Sequence, residues 1–150
     1  MADHALQQAR QALFTVLDTA AGLQATVHKG RRTVFAYAEL PAVNIRSADE
    51  EIEPASLHAN PVQLRRATLV LDINCAAVDD VEPQLFTVQA QVEKAVAANP
   101  TLGGVVRELA LTSSRQDEID GDDAEYIIER RTLVFNFMAV TRAASPDVVV

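Results

Sequence analysis

Apolar residues recur at helical spacing near the N-terminus: Leu6, Ala9, Leu13, Val16, Leu17 and Ala20, with Gln7, Gln8, Arg10 and Gln11 on the other faces. The spacing predicts an amphipathic helix that covers a sheet. Asp3 is placed to cap it, and Gly22 to end it in the left-handed conformation that glycine accepts cheaply. Residues 24–28 and 33–37 read as short strands punctuated by Gly30-Arg31-Arg32. Pro41 argues for the start of a strand or an edge, because it cannot donate a ladder hydrogen bond. Val43 and Ile45 then alternate with Asn44 and Arg46. Residues 47–63 hold two prolines, an acidic cluster and few large apolar groups, which reads as a long loop.

A long strand is predicted near 64–76, with Leu69, Leu71, Ile73 and Cys75 on one face and Thr68, Val70, Asp72 and Asn74 on the other. Asp79 and Asp80 open a second helix, and Pro83 sits in its first turn, where a missing N–H costs little. Val81, Leu85, Val88, Val92, Ala95 and Val96 form its apolar stripe, and Asn99-Pro100 stops it. Leu102-Gly103-Gly104 is a turn and residues 105–112 a short strand. Residues 113–125 read as a second acidic loop. The last strand runs from Tyr126 to Thr141, with Leu133, Phe135, Phe137 and Ala139 towards the core. At ~3.3 Å per residue it spans roughly 53 Å, against a diameter of roughly 40 Å for a compact chain of this length. It must bend, bulge or project, and a projecting hairpin exposes backbone edges that point to a partner chain.

Two segments echo each other: residues 68–73 (TLVLDI) and 132–137 (TLVFNF), each preceded by an arginine pair, Arg65-Arg66 and Arg130-Arg131. Half-buried strands converge on such patterns, and the irregular spacing speaks against a duplication. Alternation sends the two members of each arginine pair to opposite faces. They make poor phosphate clamps and suit an edge or an interface.

Length and composition agree with one α/β domain. The chain has 150 residues, 49% of them hydrophobic, and no tryptophan, so Val, Leu, Ile and Ala must build the core. Residues 1–142 form the expected domain and 143–150 a flexible tail. The net charge of −8 is unevenly spread. Residues 49–53 hold four acids and no base, 115–125 six acids and one base, and the remainder 12 bases and 11 acids. No basic patch emerges that would bind nucleic acid by counterion release. The single cysteine, Cys75, excludes an internal disulfide and falls in an apolar strand phase. No signal-peptide pattern opens the chain and no apolar run approaches the ~20 residues of a membrane helix, which points to the cytoplasm.

A search for chemistry returns duller readings. The serines lie in predicted loops or the tail, no GxSxG surrounds any of them, and His4, His28 and His58 are scattered. There is no HExxH, CxxC or phosphate-binding glycine motif. Asp117, Glu118, Asp120, Asp122 and Asp123 supply the oxygens Ca²⁺ or Mg²⁺ favours. However, counting back from Gly121 as loop position six puts Gln116 where an EF-hand needs aspartate. No catalytic, cofactor or metal residue is assigned. The rival readings are a metal-dependent enzyme centred on Asp117 to Asp123 and a free-standing soluble adaptor. The candidate surface for a second chain comprises Glu50, Glu51, Glu53, Arg65, Arg66, Asp117, Glu118, Asp120, Asp122, Asp123, Arg130 and Arg131.

The order of elements is similar to the tail terminator and minor tail protein family of long-tailed phages. The likeness is carried by Leu40-Pro41-Ala42-Val43-Asn44-Ile45, by Arg65-Arg66 and the strand after it, and by Asn99-Pro100-Thr101-Leu102-Gly103-Gly104. Leu109 to Thr112 and Arg131-Thr132-Leu133-Val134-Phe135 add to it. It extends over about residues 4–141, and the Val-rich end after Thr141 departs from it. The resemblance implies a mixed sheet with helices packed on one face; with the strands, loops and overlong last strand read above, the expected fold is α+β, a mixed, mostly antiparallel sheet with two main helices on one face, a projecting β-hairpin and long loops. It implies a ring, typically of six copies, that docks on the last ring of the major tail tube protein, stops its growth and receives the head connector, while DNA passes through the lumen. It implies a place at the neck end of the virion tail, assembled in the host cytoplasm. Neck and head-completion proteins share this size and character. The resemblance brings no catalytic residues and no cofactor.

Overall fold

The computed structural model describes residues 3–57, 59–119 and 127–150. Helix α1 (Ala5–Asp18) leads into β1 (Thr26–Lys29), a short 3-10 turn (Tyr37–Glu39), β2 (Ala42–Pro54) and β3 (Val62–Ala77). Helix α2 (Glu82–Ala97), β4 (Arg107–Ile119) and β5 (Ile127–Arg142) complete the chain. The five strands form one sheet in the order β1-β2-β3-β5-β4, parallel between β1 and β2 and antiparallel elsewhere. This is the mixed, mostly antiparallel α+β arrangement expected.

Both helices lie on one face. Ala5, Ala9, Leu13 and Leu17 of α1 and Leu85, Val88, Val92 and Val96 of α2 are buried there. Beneath them lie the odd-numbered residues of the central strands, Leu69, Leu71, Ile73 and Cys75 of β3 and Leu133, Phe135, Phe137 and Ala139 of β5, none more than 3% exposed. Strand periodicity therefore placed the core of β3 and β5 correctly. At ~1.5 Å per residue the helices are about 21 and 24 Å long, while β3 and β5 extend roughly 53 Å. The helical layer covers only part of the sheet. β5 neither bends away nor breaks: its register with β3 is continuous from Val62↔Arg142 to Ala77↔Ile127, and the bulges fall in its neighbours, β2 and β4.

Several expected boundaries are corrected. His4, not Asp3, caps α1, its Nδ1 accepting from the Leu6 N–H at 3.2 Å. The helix ends four residues before Gly22, where its bonding tightens from the Thr19 N–H on the Thr15 carbonyl to the Ala20 N–H on the Leu17 carbonyl, three residues back at 3.2 Å. Among the described residues the left-handed glycines are Gly30, Gly103 and Gly104, and Leu102 shares that conformation in the turn before β4. Residues 33–37 are not a strand. They belong to a strap, residues 31–39, that crosses the helix-free face of the sheet and ends in the 3-10 turn.

The larger correction concerns the acidic segments. Residues 47–54 belong to β2, and 113–119 to β4. Each charged strand is an outer one over this stretch, since β1 pairs with β2 only as far as Ile45. Outer strands tolerate charge because one side of their ladder faces water. The remainder of the second acidic segment, including Asp120, Asp122 and Asp123, lies outside the described residues. The C-terminal residues return along the body: Pro146 O accepts from Ala5 N at 3.0 Å and Val140 O from Val150 N at 2.7 Å.

Candidate functional site

The helix-free face carries a row of buried polar side chains. Asn44, Asp72 and Thr132 stand side by side on β2, β3 and β5, all three buried. The Asp72 carboxylate accepts from Thr132 Oγ1 at 3.0 Å and from Arg46 Nε at 2.9 Å. Asn44 bonds both the N–H and the C=O of Arg31, each at 3.0 Å, and so pins the strap to the sheet. The strap is held at its other end by Glu39. Its carboxylate receives a forked pair of bonds from Arg31, both 2.8 Å, and one from the Ala36 N–H at 2.7 Å. The Arg31 guanidinium, with help from the Ala36 N–H, holds the Glu39 carboxyl below its ordinary range, and the same bond raises Arg31. Arg31 also lies over the Phe35 ring, 4.3 Å from its centroid, and Phe35 packs on His28.

Strap and sheet enclose a cleft of about 340 Å³ between Arg31, Arg32, Val34, Phe35, Arg46, Asn74, Ile128 and Arg130. Val34, Phe35 and Ile128 supply its apolar lining. Arg130 approaches Asp117 at 3.9 Å, but its Nε is buried with no hydrogen-bond partner among the described residues.

The β2–β3 hairpin forms the other end of the sheet. Glu50 sits on the helix side and forms an ion pair with Arg65, which also donates to Thr141 Oγ1 at 2.8 Å and lies 3.2 Å from His4 Nε2. Arg65 is thus a buried arginine satisfied on several sides. Glu51 and Arg66 are register partners on the helix-free side, and Glu53 stands opposite Leu64. A second cleft, of about 420 Å³, lies there among Asp49, Glu51, Arg66, Thr68, Glu108 and Asn136. The hairpin ends near Leu57, whose side chain is fully exposed, and Ile52 is half exposed behind it.

The arginine pairs do split between faces. Arg65 and Arg131 lie on the helix side, Arg66 and Arg130 on the other. Arg131 bonds Gln89 and Gln116 and stacks 4.7 Å from the Phe86 centroid. Glu118 takes the register position opposite Glu129. The described members of the predicted surface thus fall into two groups at opposite ends of the sheet, Glu50, Glu51 and Glu53 on the strand beside Arg65 and Arg66, and Asp117 and Glu118 on the strand beside Arg130 and Arg131. The polar row Asn44–Asp72–Thr132 and the strap cleft were not anticipated. Their one signal is an aspartate amid the apolar run of β3.

Among the described residues no three His, Cys, Asp or Glu side chains gather closely enough to hold a metal ion. Burial pushes the Cys75 thiol up to about 12. No helix among the described residues is long and apolar enough to cross a membrane.

No family model matches the chain, and no curated protein does. Among solved structures it is similar to a chain of the virion of a native gene transfer agent particle, at 15% identity, with 92% of each chain covered and a TM-score of 0.38. A superposition that loose leaves the function to be argued from the chain's own residues.

Proposed function

We propose that this chain is a structural subunit of a phage tail, a terminator whose copies form a ring on the end of the tail tube. In this reading the ring stops addition of the major tail tube protein and offers its other face to the head connector, with DNA passing through the lumen unbound. The observation that carries it is the β2–β3 hairpin. Its outer edge is open beyond Ile45, and its tip presents Leu57 fully exposed. An apolar tip exposed there suits contact with another chain. The sequence likeness to tail terminators supplies the kind of contact: six like copies above a tube. Purified tails assembled with and without the protein, measured by electron microscopy, test the reading. Overgrown tubes in its absence and uniform capped tubes in its presence are expected. Tubes of identical length distribution under both conditions contradict it.

A further inference from the structure

The hairpin and the strap cleft lie at opposite ends of one sheet. Gln63 pairs with Pro54 at the hairpin, and Asn74 with Arg130 at the cleft. The strand between them spans about 36 Å at ~3.3 Å per residue. Their characters complement each other. The hairpin offers fully exposed Leu57 at its tip and, along β2, the carboxylates of Asp49, Glu51 and Glu53, all exposed. The cleft offers apolar walls, with Val34 71% exposed, under a rim of Arg31, Arg32, Arg46 and Arg130. Arg31, Arg46 and Arg130 each face one carboxylate of their own chain, whereas no ion pair among the described residues involves Arg32. Edge-to-edge pairing of two copies is the competing geometry. It is disfavoured because both outer strands are bulged, β2 between Ser47 and Glu50 and β4 at two places between Arg107 and Ser113. Bulges twist an edge away from a partner strand.

We infer that the hairpin of one copy seats Leu57 in the strap cleft of the next, with the hairpin carboxylates against Arg32 and its neighbours. Donor and acceptor surfaces differ and sit at opposite ends, so the contact is head-to-tail and repeats in one direction, as a closed ring requires. This deepens the terminator reading and rests on it.

Two variants at exposed positions test the docking without touching the core. Leu57→Asp spoils the hairpin, and Arg32→Glu with Val34→Asp spoils the cleft. Circular dichroism and melting curves confirm that both fold. In mass photometry each alone needs at least about tenfold more protein than the parent chain for half assembly. Mixed in equal amounts they form dimers and nothing larger, because one intact hairpin and one intact cleft remain. Rings from either variant at the parental concentration, or full rings from the mixture, overturn the docking while leaving the terminator reading standing. A parent chain that stays monomeric both alone and with tail tubes overturns the terminator reading and the docking together.

Discussion

Asp72→Ala probes the buried polar row directly. Asp72 is 6% exposed and accepts from Thr132 Oγ1 at 3.0 Å and Arg46 Nε at 2.9 Å. The two donors respond differently to its loss. The Arg46 side chain is half exposed and turns to water, so its share is small. Thr132 is 7% exposed and has no such escape. Stranding its hydroxyl costs about 1–3 kcal/mol, and the lost hydrogen bond to a charged group adds about 1 kcal/mol after that discount. A total of about 2–4 kcal/mol is expected, a large share of the ~5–15 kcal/mol that holds a typical domain together. Asp72→Asn keeps an acceptor for Thr132 and is expected to lose about half as much. Asp72→Leu combined with Thr132→Val removes both polar partners and is expected to recover to within about 1 kcal/mol of the parent. Urea unfolding reads all three as midpoint shifts at constant slope. An Asp72→Ala midpoint within about 0.5 kcal/mol of the parent refutes the role assigned to the row. A double variant as weak as the single shows that the cost arises elsewhere.

Two further outcomes follow from single positions. Gly30 has φ +61°, and a Cβ there meets only the far end of the Arg10 side chain, at 3.0 Å. Gly30→Ala should therefore lower stability by about 1–2 kcal/mol through backbone conformation rather than crowding, and pairing it with Arg10→Ala should not restore the melting temperature. Cys75 keeps its proton in the folded state up to about pH 12, against an ordinary value of 9.0. The unfolded chain ionises first, so the thiol's contribution is whole below about pH 9 and lost as pH rises towards 12. Cys75→Val should flatten the alkaline limb of the stability–pH curve, and an unchanged limb would contradict burial as the cause of the shift.

The chain's own pattern reveals much of this fold, and the reason is visible in β3 and β5. Their odd-numbered residues meet one helical layer, so period-two alternation survives intact from Leu69 to Cys75 and from Leu133 to Ala139. The echo between residues 68–73 and 132–137 has the same origin. Val70 pairs with Val134 and Thr68 with Asn136, so the two segments lie against each other and meet the same surroundings. Adjacent central strands converge without any duplication. Legibility fails where local composition and tertiary contact disagree. Asp49 to Glu53 has the composition of a loop, yet it is strand because Arg65 and Arg66 stand opposite and its outer side meets water. Thr33 to Tyr37 has the composition of a strand, yet it is strap because Glu39 and Asn44 bind it through side chains.

The candidate surface divides along the same line. The arginine pairs were found because alternation alone decides which face each member takes. The cleft was not, because its walls come from the strap, β2, β3 and β5, and nothing local links Val34 to Ile128. The buried row beneath it has a structural consequence for the proposed docking. Asn44 holds the strap down through both polar groups of Arg31, and Asp72 fixes Arg46 at the rim. The acceptor surface is therefore set before a neighbour arrives, which lowers the ordering cost of each contact in a ring. Polar residues in the middle of a sheet are expensive unless satisfied. Here their satisfaction positions the one cleft wall that β-strand geometry could not have supplied, the strap itself.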